Sequence, residues 1–313
     1  MSISLNHARL LLISYFERFS MIITLWYFAL TCLIGLAVGS FINAFEYRLH
    51  EKIDFISKRS MCTHCKHELK ALDLIPLISY FFLRGKCRYC ETKVSWQYPI
   101  VEFLSGCLFL IAAFYTFNQV NTYELIPFLQ MLMNALFHGL LFSFFLFIAL
   151  YDVKHGIIPN KVIIPAFILS LVINLLIAAA MHFYPDIHRE SLIISTNVAW
   201  NMLAGFMGAV FIAFIIIITK GKGMGGGDLK LVAVMGLLLG MKNLIIALYI
   251  AVILGSIGGI LWGLHKGRIK GLTIPFGLFL SIGSILSFLL GEVLWDYFFG
   301  GFEYLFPSLL LGW

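Results

Sequence analysis

The stretch NMLAGFMGAVFIAFIIIITKGKGMGGGD, residues 201–228, decides the architecture. Its apolar part has the length of a hydrocarbon-spanning helix, which needs about 20 such residues. It stops at the basic pair Lys220 and Lys222, passes through Gly223, Gly225, Gly226 and Gly227, and reaches a single carboxylate, Asp228. A second carboxylate stands in the same way at the end of another apolar run, in Ala149-Leu150-Tyr151-Asp152-Val153-Lys154. A charged group at a membrane boundary is costly unless it is paired, hydrated or useful.

Outward from these stretches the whole chain reads the same way. It has 313 residues, 61% of them hydrophobic and 12% charged, with a mean hydropathy of +0.94. That composition excludes a soluble globular core and predicts an all-α polytopic membrane protein. Apolar runs at 21–46, 98–118, 125–151, 159–183, 197–219, 229–241, 243–264 and 273–299 predict eight transmembrane helices, with seven as the alternative count because Leu229–Met241 is short. Residues 1–20 read as a lead-in, giving 1–46 as the first segment, 47–97 as the one sizeable extramembrane loop and 98–313 as the main membrane domain. The first run is too long for a cleavable signal peptide.

Lys and Arg set the orientation. Ten of the 22 lie within 48–97. With alternating spans the same side receives Lys154, Lys161, Lys220, Lys222, Lys230, Lys266, Arg268 and Lys270, leaving Arg9, Arg18, Arg189 and Lys242 opposite. The richer side is predicted to be cytoplasmic. It carries the loop, Asp152 and Asp228, and an eight-span count puts both termini outside. The net charge of +6 follows from this asymmetry and does not call for nucleic acid, because no aromatic-basic platform accompanies it.

The loop contains Cys62-Thr-His-Cys65 and Cys87-Arg-Tyr-Cys90. Two CxxC knuckles present four thiolates to one tetrahedral ion, and zinc suits that set. Unrelated or redox-active cysteines are the alternative, although a reducing compartment argues against disulfides. Cys32 and Cys107 fall inside apolar runs and read as small buried hydrophobes.

Two carboxylates sharing a site cannot both ionise easily and hold one proton between them. One then serves as base toward water and the other as acid toward a scissile amide. The glycines before Asp228 (Gly225 and Gly227 above all) allow unusual φ angles and close passage of a peptide backbone. Each aspartate alone also fits a helix cap, with Asp228 at an N-cap, and a proton-coupled transporter uses such carboxylates too. Glu46 and Glu102 read as helix-end charges, His138 as a hydrogen-bonding residue within the third span, and Lys242 as a marker of the turn after the sixth run.

These residues fall in the order of a known family. Gly39-Ser40-Phe41-Ile42-Asn43 with Tyr47-Arg48-Leu49, the CxxC pairs, Asp73-Leu-Ile-Pro76-Leu-Ile-Ser79-Tyr80, Leu83-Arg84-Gly85-Lys86, Tyr98-Pro-Ile-Val-Glu102, Asp152 with Ile158-Pro159-Asn160, Gly225-x-Gly227-Asp228 and Ile274-Pro-Phe-Gly277 together resemble the bacterial type IV prepilin peptidases. The resemblance implies a GxGD aspartic peptidase of the inner membrane, with Asp152 and Asp228 catalytic. It implies cleavage of basic leaders from prepilins and pseudopilins on the cytoplasmic side. It also implies N-methylation of the new terminus from S-adenosylmethionine, which accompanies the four-cysteine loop, with Glu102 and residues 73–88 as candidates for that second activity. A GxGD protease with other substrates and a non-catalytic transporter or scaffold are the competing expectations. Three positions depart from the family's usual residues: Gln97 stands for a base, Lys222 for an acid and Gly226 for a larger side chain.

Overall fold

The structure, a computed structural model, describes residues 2–53, 59–117, 125–183, 198–221, 223–265 and 274–305. Lys58, Arg189, Lys222, Lys266, Arg268 and Lys270 lie outside the described residues. The described chain is helical: α1 (Ser2–His50), α2 (Ile78–Phe82), α3 (Gln97–Phe117), α4 (Leu125–His155), α5 (Asn160–Phe183), α6 (Val198–Ile218), α7 (Gly226–His265) and α8 (Phe276–Leu305). Seven of these helices contain stretches long and apolar enough to cross a membrane. The lead-in predicted at 1–20 is not a separate element, because α1 runs unbroken from Ser2 into the apolar run.

The chain forms two compact units, Met1–Phe144 and Phe145–Trp313. In the first unit α1 and α3 pack antiparallel along small residues. A Cβ on Gly35 would lie 2.7 Å from the Phe109 Cβ, and one on Gly39 would lie 2.6 Å from the Glu102 Cα. Close backbone approach through glycine is the usual way apolar helices associate in lipid, where no hydrophobic force drives them together. The Tyr27 hydroxyl spans the same seam, donating to the Ala113 carbonyl at 3.1 Å and lying 2.8 Å from Thr116 Oγ1. The start of α4 closes this core, with Met131 and Ala135 joining Tyr27 and Ala113. His138 is buried there and meets the Tyr115 ring edge-on at 6.0 Å.

In the second unit α7 holds the architecture. Its 40 residues would extend about 60 Å if straight, twice the hydrocarbon thickness. It is not straight, because Gly240 has φ 75° and ψ 178°, a conformation open essentially to glycine alone. The two arms pack differently. Before the break, Gly236 faces Gly205 of α6 and Asn174 of α5 donates to the Leu237 carbonyl at 2.9 Å. After it, Gly255 and Gly259 face Phe276 and Ile274, and Ala247 lies against Gly283, so this arm runs antiparallel to α8. α8 begins beside Asp152, on the side where α7 also begins. The chain therefore turns back at Gly240, and the short run ending at Met241 and the run after it are two separate arms. Lys242 follows the reversal with its Nζ 5.6 Å from the centre of the Trp295 ring.

The closest α6–α7 contact supports a stability prediction. A Cβ on Gly236 would collide with the Gly205 nitrogen and lie 2.5 Å from its Cα, both backbone atoms that cannot swing aside. Gly236→Ala is expected to cost at least the upper end of the roughly 1–3 kcal/mol typical of overpacking. A lowered thermal unfolding midpoint of the purified protein in detergent checks this, and an unchanged midpoint overturns it.

Candidate active site and metal centre

Three backbone segments of the second unit meet around the two aspartates. α4 ends just after Asp152: Gly156 takes a left-handed turn (φ 65°) and returns its N–H to the Asp152 carbonyl at 2.8 Å, a common helix stop. The Asp152 side chain is only 5% exposed. Its Oδ2 accepts the Leu278 N–H at 3.3 Å, at the start of α8. A Cβ on Gly277 would lie 2.8 Å from that same oxygen. Glycine in Ile274-Pro-Phe-Gly277 is thus what lets this backbone reach the carboxylate.

Asp228 sits in the first turn of α7. It does not occupy the N-cap; that place belongs to Gly225, whose N–H donates to Asp228 Oδ2 at 2.9 Å. This is the reciprocal half of a capping box, with an acid at the third helical position satisfying a free donor. Asp152 lies near enough to Asp228 for the two carboxylates to influence each other electrostatically. None of Gly225, Gly226 and Gly227 has a positive φ. What these glycines provide is space. Nothing lies within 4 Å of a Cβ built on Gly226, whereas one on Gly227 would lie 3.1 Å from Ile158 Cβ.

Ile158 links the two aspartate-bearing segments, a role the sequence reading missed. It lies against Gly227 on one side, and its Cδ1 is 3.3 Å from the Cβ position of Gly277 on the other. Lys230 Nζ donates to Asn160 Oδ1 at 2.8 Å, tying the start of α7 to the start of α5.

In the first unit the four loop cysteines come together. The Sγ atoms of Cys62, Cys65, Cys87 and Cys90 all lie within 4.8 Å of one another, and Cys62 and Cys90 are 3.9 Å apart. Sulfurs bound tetrahedrally at 2.3 Å to zinc stand about 3.8 Å apart, so the donor set fits a metal ion in number, chemistry and spacing. The knuckles repeat each other with an offset of 25 residues. Cys62 N–H donates to the His67 carbonyl and Cys87 N–H to the Thr92 carbonyl, both at 2.9 Å. Lys66 (φ 58°) and Glu91 (φ 55°) take the same left-handed turn in each. The Thr92 hydroxyl, 2.9 Å from Cys90 Sγ, together with the Thr92 N–H draws that thiol down to about 6, while its neighbour Cys65 is pushed up to about 11.

The loop is tied within itself at Asp73 and to α3 at Glu102. Asp73 pairs with Arg88 Nε at 2.7 Å and accepts from the Tyr89 hydroxyl at 3.0 Å. Glu102 Oε2 accepts the N–H of Leu77, a residue strained at φ 59°, at 2.8 Å. Glu46 is 1% exposed and receives Gln97 Nε2 at 3.4 Å, while the same amide donates to Asn43 Oδ1 at 3.3 Å. Glu46 and Glu102 are therefore buried hydrogen-bonded acids. They stand near helix ends, Glu46 late in α1 and Glu102 early in α3, but bind partners 25 to 51 residues away.

Residues 33–117 match the model of the bacterial peptidase A24 N-terminal domain, and residues 139–260 match that of the type IV leader peptidase family. A prepilin leader peptidase/N-methyltransferase of Bacillus subtilis is 30% identical over 262 residues, covering 83% of this chain and 93% of the relative. Proteins of the same name from Pseudomonas putida and Neisseria gonorrhoeae are each 26% identical, covering 85% of this chain and 92% and 91% of theirs. No solved structure matches. The class is thus a polytopic membrane peptidase of aspartic type. More narrowly, the chain belongs to the type IV leader peptidase family.

Proposed function

We propose that this protein cleaves the basic leader from type IV prepilins and pseudopilins at the cytoplasmic face of the inner membrane, with Asp152 and Asp228 as the catalytic pair, and methylates the new amino terminus. The observation that carries the reading is the convergence of Ile158-Pro-Asn, Gly225-x-Gly-Asp228 and Ile274-Pro-Phe-Gly277 on two carboxylates. The asymmetry of Lys and Arg supports the cytoplasmic orientation.

In this reading the ionised aspartate removes a proton from water, whose oxygen attacks the scissile carbonyl carbon. The protonated partner donates to the carbonyl oxygen. Collapse of the tetrahedral diol breaks the C–N bond, and the departing amine takes up a proton from the pair. The open backbone around Gly225 and Gly226 admits an extended peptide. The substrate's apolar helix stays in the bilayer while its leader junction reaches the carboxylates.

We assign zinc to the four cysteines as a structural ion that fixes the two knuckles, and S-adenosylmethionine as the methyl donor. Glu102 supports this assignment of the loop as a positioning residue through its hold on Leu77. Cys62→Ser is expected to abolish stoichiometric zinc binding and methylation while leader cleavage persists, as read by metal analysis alongside product mass. Loss of cleavage equal to the loss of methylation in a folded variant counts against this division of labour.

The test of the whole reading is mass spectrometry of a prepilin incubated with the purified enzyme and S-adenosylmethionine. Removal of the leader plus one methyl mass is expected. A cut but unmethylated product leaves the peptidase and removes methyl transfer. An untouched substrate with folded enzyme overturns the proposal.

A further inference from the structure

One surface of the first unit takes no part in the aspartate site or the four-thiol cluster. A cleft of about 770 Å³ lies between α2 and the second knuckle, lined by Tyr80, Phe81, Arg84, Lys86, Lys93 and Trp96 among others. Its three cations are exposed, and none has an ion pair among the described residues, unlike Arg59 with Glu68 and Arg88 with Asp73. The aromatic wall is fixed. The Tyr80 ring lies 5.3 Å from that of Trp96, and its hydroxyl donates to the Val94 carbonyl at 3.4 Å. Gly85, at φ 67°, passes beneath that hydroxyl where a Cβ would stand 3.0 Å away.

The rim is apolar and uncovered. Phe82 is 82% exposed, and Ile78 and Phe81 are also open, although they belong to a five-residue helix outside every membrane-length segment. Trp96 directly precedes α3, and its carbonyl accepts the Ile100 N–H at 3.2 Å. Ile100 and Phe103, four and seven residues on, continue the exposed face of Trp96 down that membrane-length helix. Cationic groups therefore sit above an aromatic collar, with an apolar rail below it. Tryptophan at such a helix end marks the headgroup level of a bilayer.

We propose that this cleft binds an anionic phospholipid, its phosphate held by Arg84, Lys86 and Lys93 and its acyl chains lying along Ile100 and Phe103. Three unneutralised cations select an anionic headgroup over a zwitterionic one, and they disfavour a soluble ligand carrying its own positive charge, such as S-adenosylmethionine. Seating the collar in the interface also covers Phe81 and Phe82 and holds the metal loop at the membrane surface. The proposal does not depend on the aspartate assignment, and it takes Arg84 and Lys86 out of the 73–88 segment offered for methyl transfer.

The test counts lipids retained by the full chain in native mass spectrometry, with phosphatidylglycerol or phosphatidylcholine added to the detergent. The wild type is expected to prefer phosphatidylglycerol on the order of 100-fold, the combined effect of three basic side chains. At about fivefold per basic side chain near an anionic surface, Arg84→Gln with Lys86→Gln and Lys93→Gln should weaken that binding on the order of 100-fold, to the phosphatidylcholine level. Protection of the four cysteines from thiol reagents by zinc reports that the loop is folded. Should the triple variant lose that protection, the single Arg84→Gln change carries the test with its roughly fivefold effect. Equal retention of both lipids by the wild type, or unchanged phosphatidylglycerol retention in folded variants, overturns the proposal. So does loss of S-adenosylmethionine binding in the triple variant with lipid retention intact, which gives the cleft to the cofactor.

Discussion

Asp152→Asn and Asp228→Asn are each expected to abolish leader cleavage while leaving the protein folded. The substitution preserves shape and most local bonding. An asparagine at 152 keeps an acceptor for the Leu278 N–H, and one at 228 keeps an acceptor for the Gly225 N–H. It removes the one property the proposed reaction needs, a group that takes up and gives back a proton. Positioned acid–base groups contribute roughly 10²- to 10⁴-fold each. Because the two act on one water, either change alone should bring the rate close to that of the double variant. The measurement is the rate of leader removal by product mass, paired with the thermal unfolding midpoint of each variant. Cleavage surviving in either single variant would sink the dyad assignment. Lost cleavage with a collapsed unfolding midpoint would point to a structural role for that aspartate instead.

The legibility of this site in the sequence differs from residue to residue, for physical reasons. Asp152 and Asp228 stand out because a carboxylate next to a membrane-length apolar run must be explained. The four cysteines stand out because paired thiols with two residues between them have few uses besides a shared ion. The break at Gly240 was legible in part, as an apolar run too short for one crossing followed by Lys242. Ile158 was not legible, since an isoleucine in a turn looks like any apolar residue. Its function is fixed by Gly227 and Gly277, which lie 69 and 119 residues further along the chain. The helix-end places of Glu46 and Glu102 were legible, but their partners were not, because Gln97 at the start of α3 and Leu77 of the loop meet them only in the folded chain. The paired CxxC knuckles were legible, but their shared backbone hydrogen bonds and left-handed turns were not, because these leave no side-chain pattern. Capping explains the aspartate misplacement: the acid seen as an N-cap is the third helical residue, reaching back to a glycine cap that leaves no side-chain signature.

Gly277→Ala tests whether the aspartate site depends on placement as well as on composition. The added methyl would lie 2.8 Å from Asp152 Oδ2 and 3.3 Å from Ile158 Cδ1. The carboxylate is the end of a rotatable side chain, so it is the group that gives way, and moving it breaks the 3.3 Å bond from the Leu278 N–H. Neither backbone nor helix packing has to shift, in contrast to Gly236, where the obstacle is backbone. A displacement of about 1 Å at a reacting group costs on the order of 100-fold in rate. Gly277→Ala is therefore expected to lose about that much cleavage with an unfolding midpoint close to wild type. Because the change acts through the position of Asp152, the loss should appear in kcat more than in KM. Shortening the neighbouring wedge with Ile158→Ala should return part of the activity by giving the methyl and the carboxylate room. A Gly277→Ala enzyme with wild-type kcat would show that the Leu278 contact does not place the carboxylate for the reaction. Failure of Ile158→Ala to restore any activity would separate the two contacts and leave the Asp152 oxygen alone responsible for the loss.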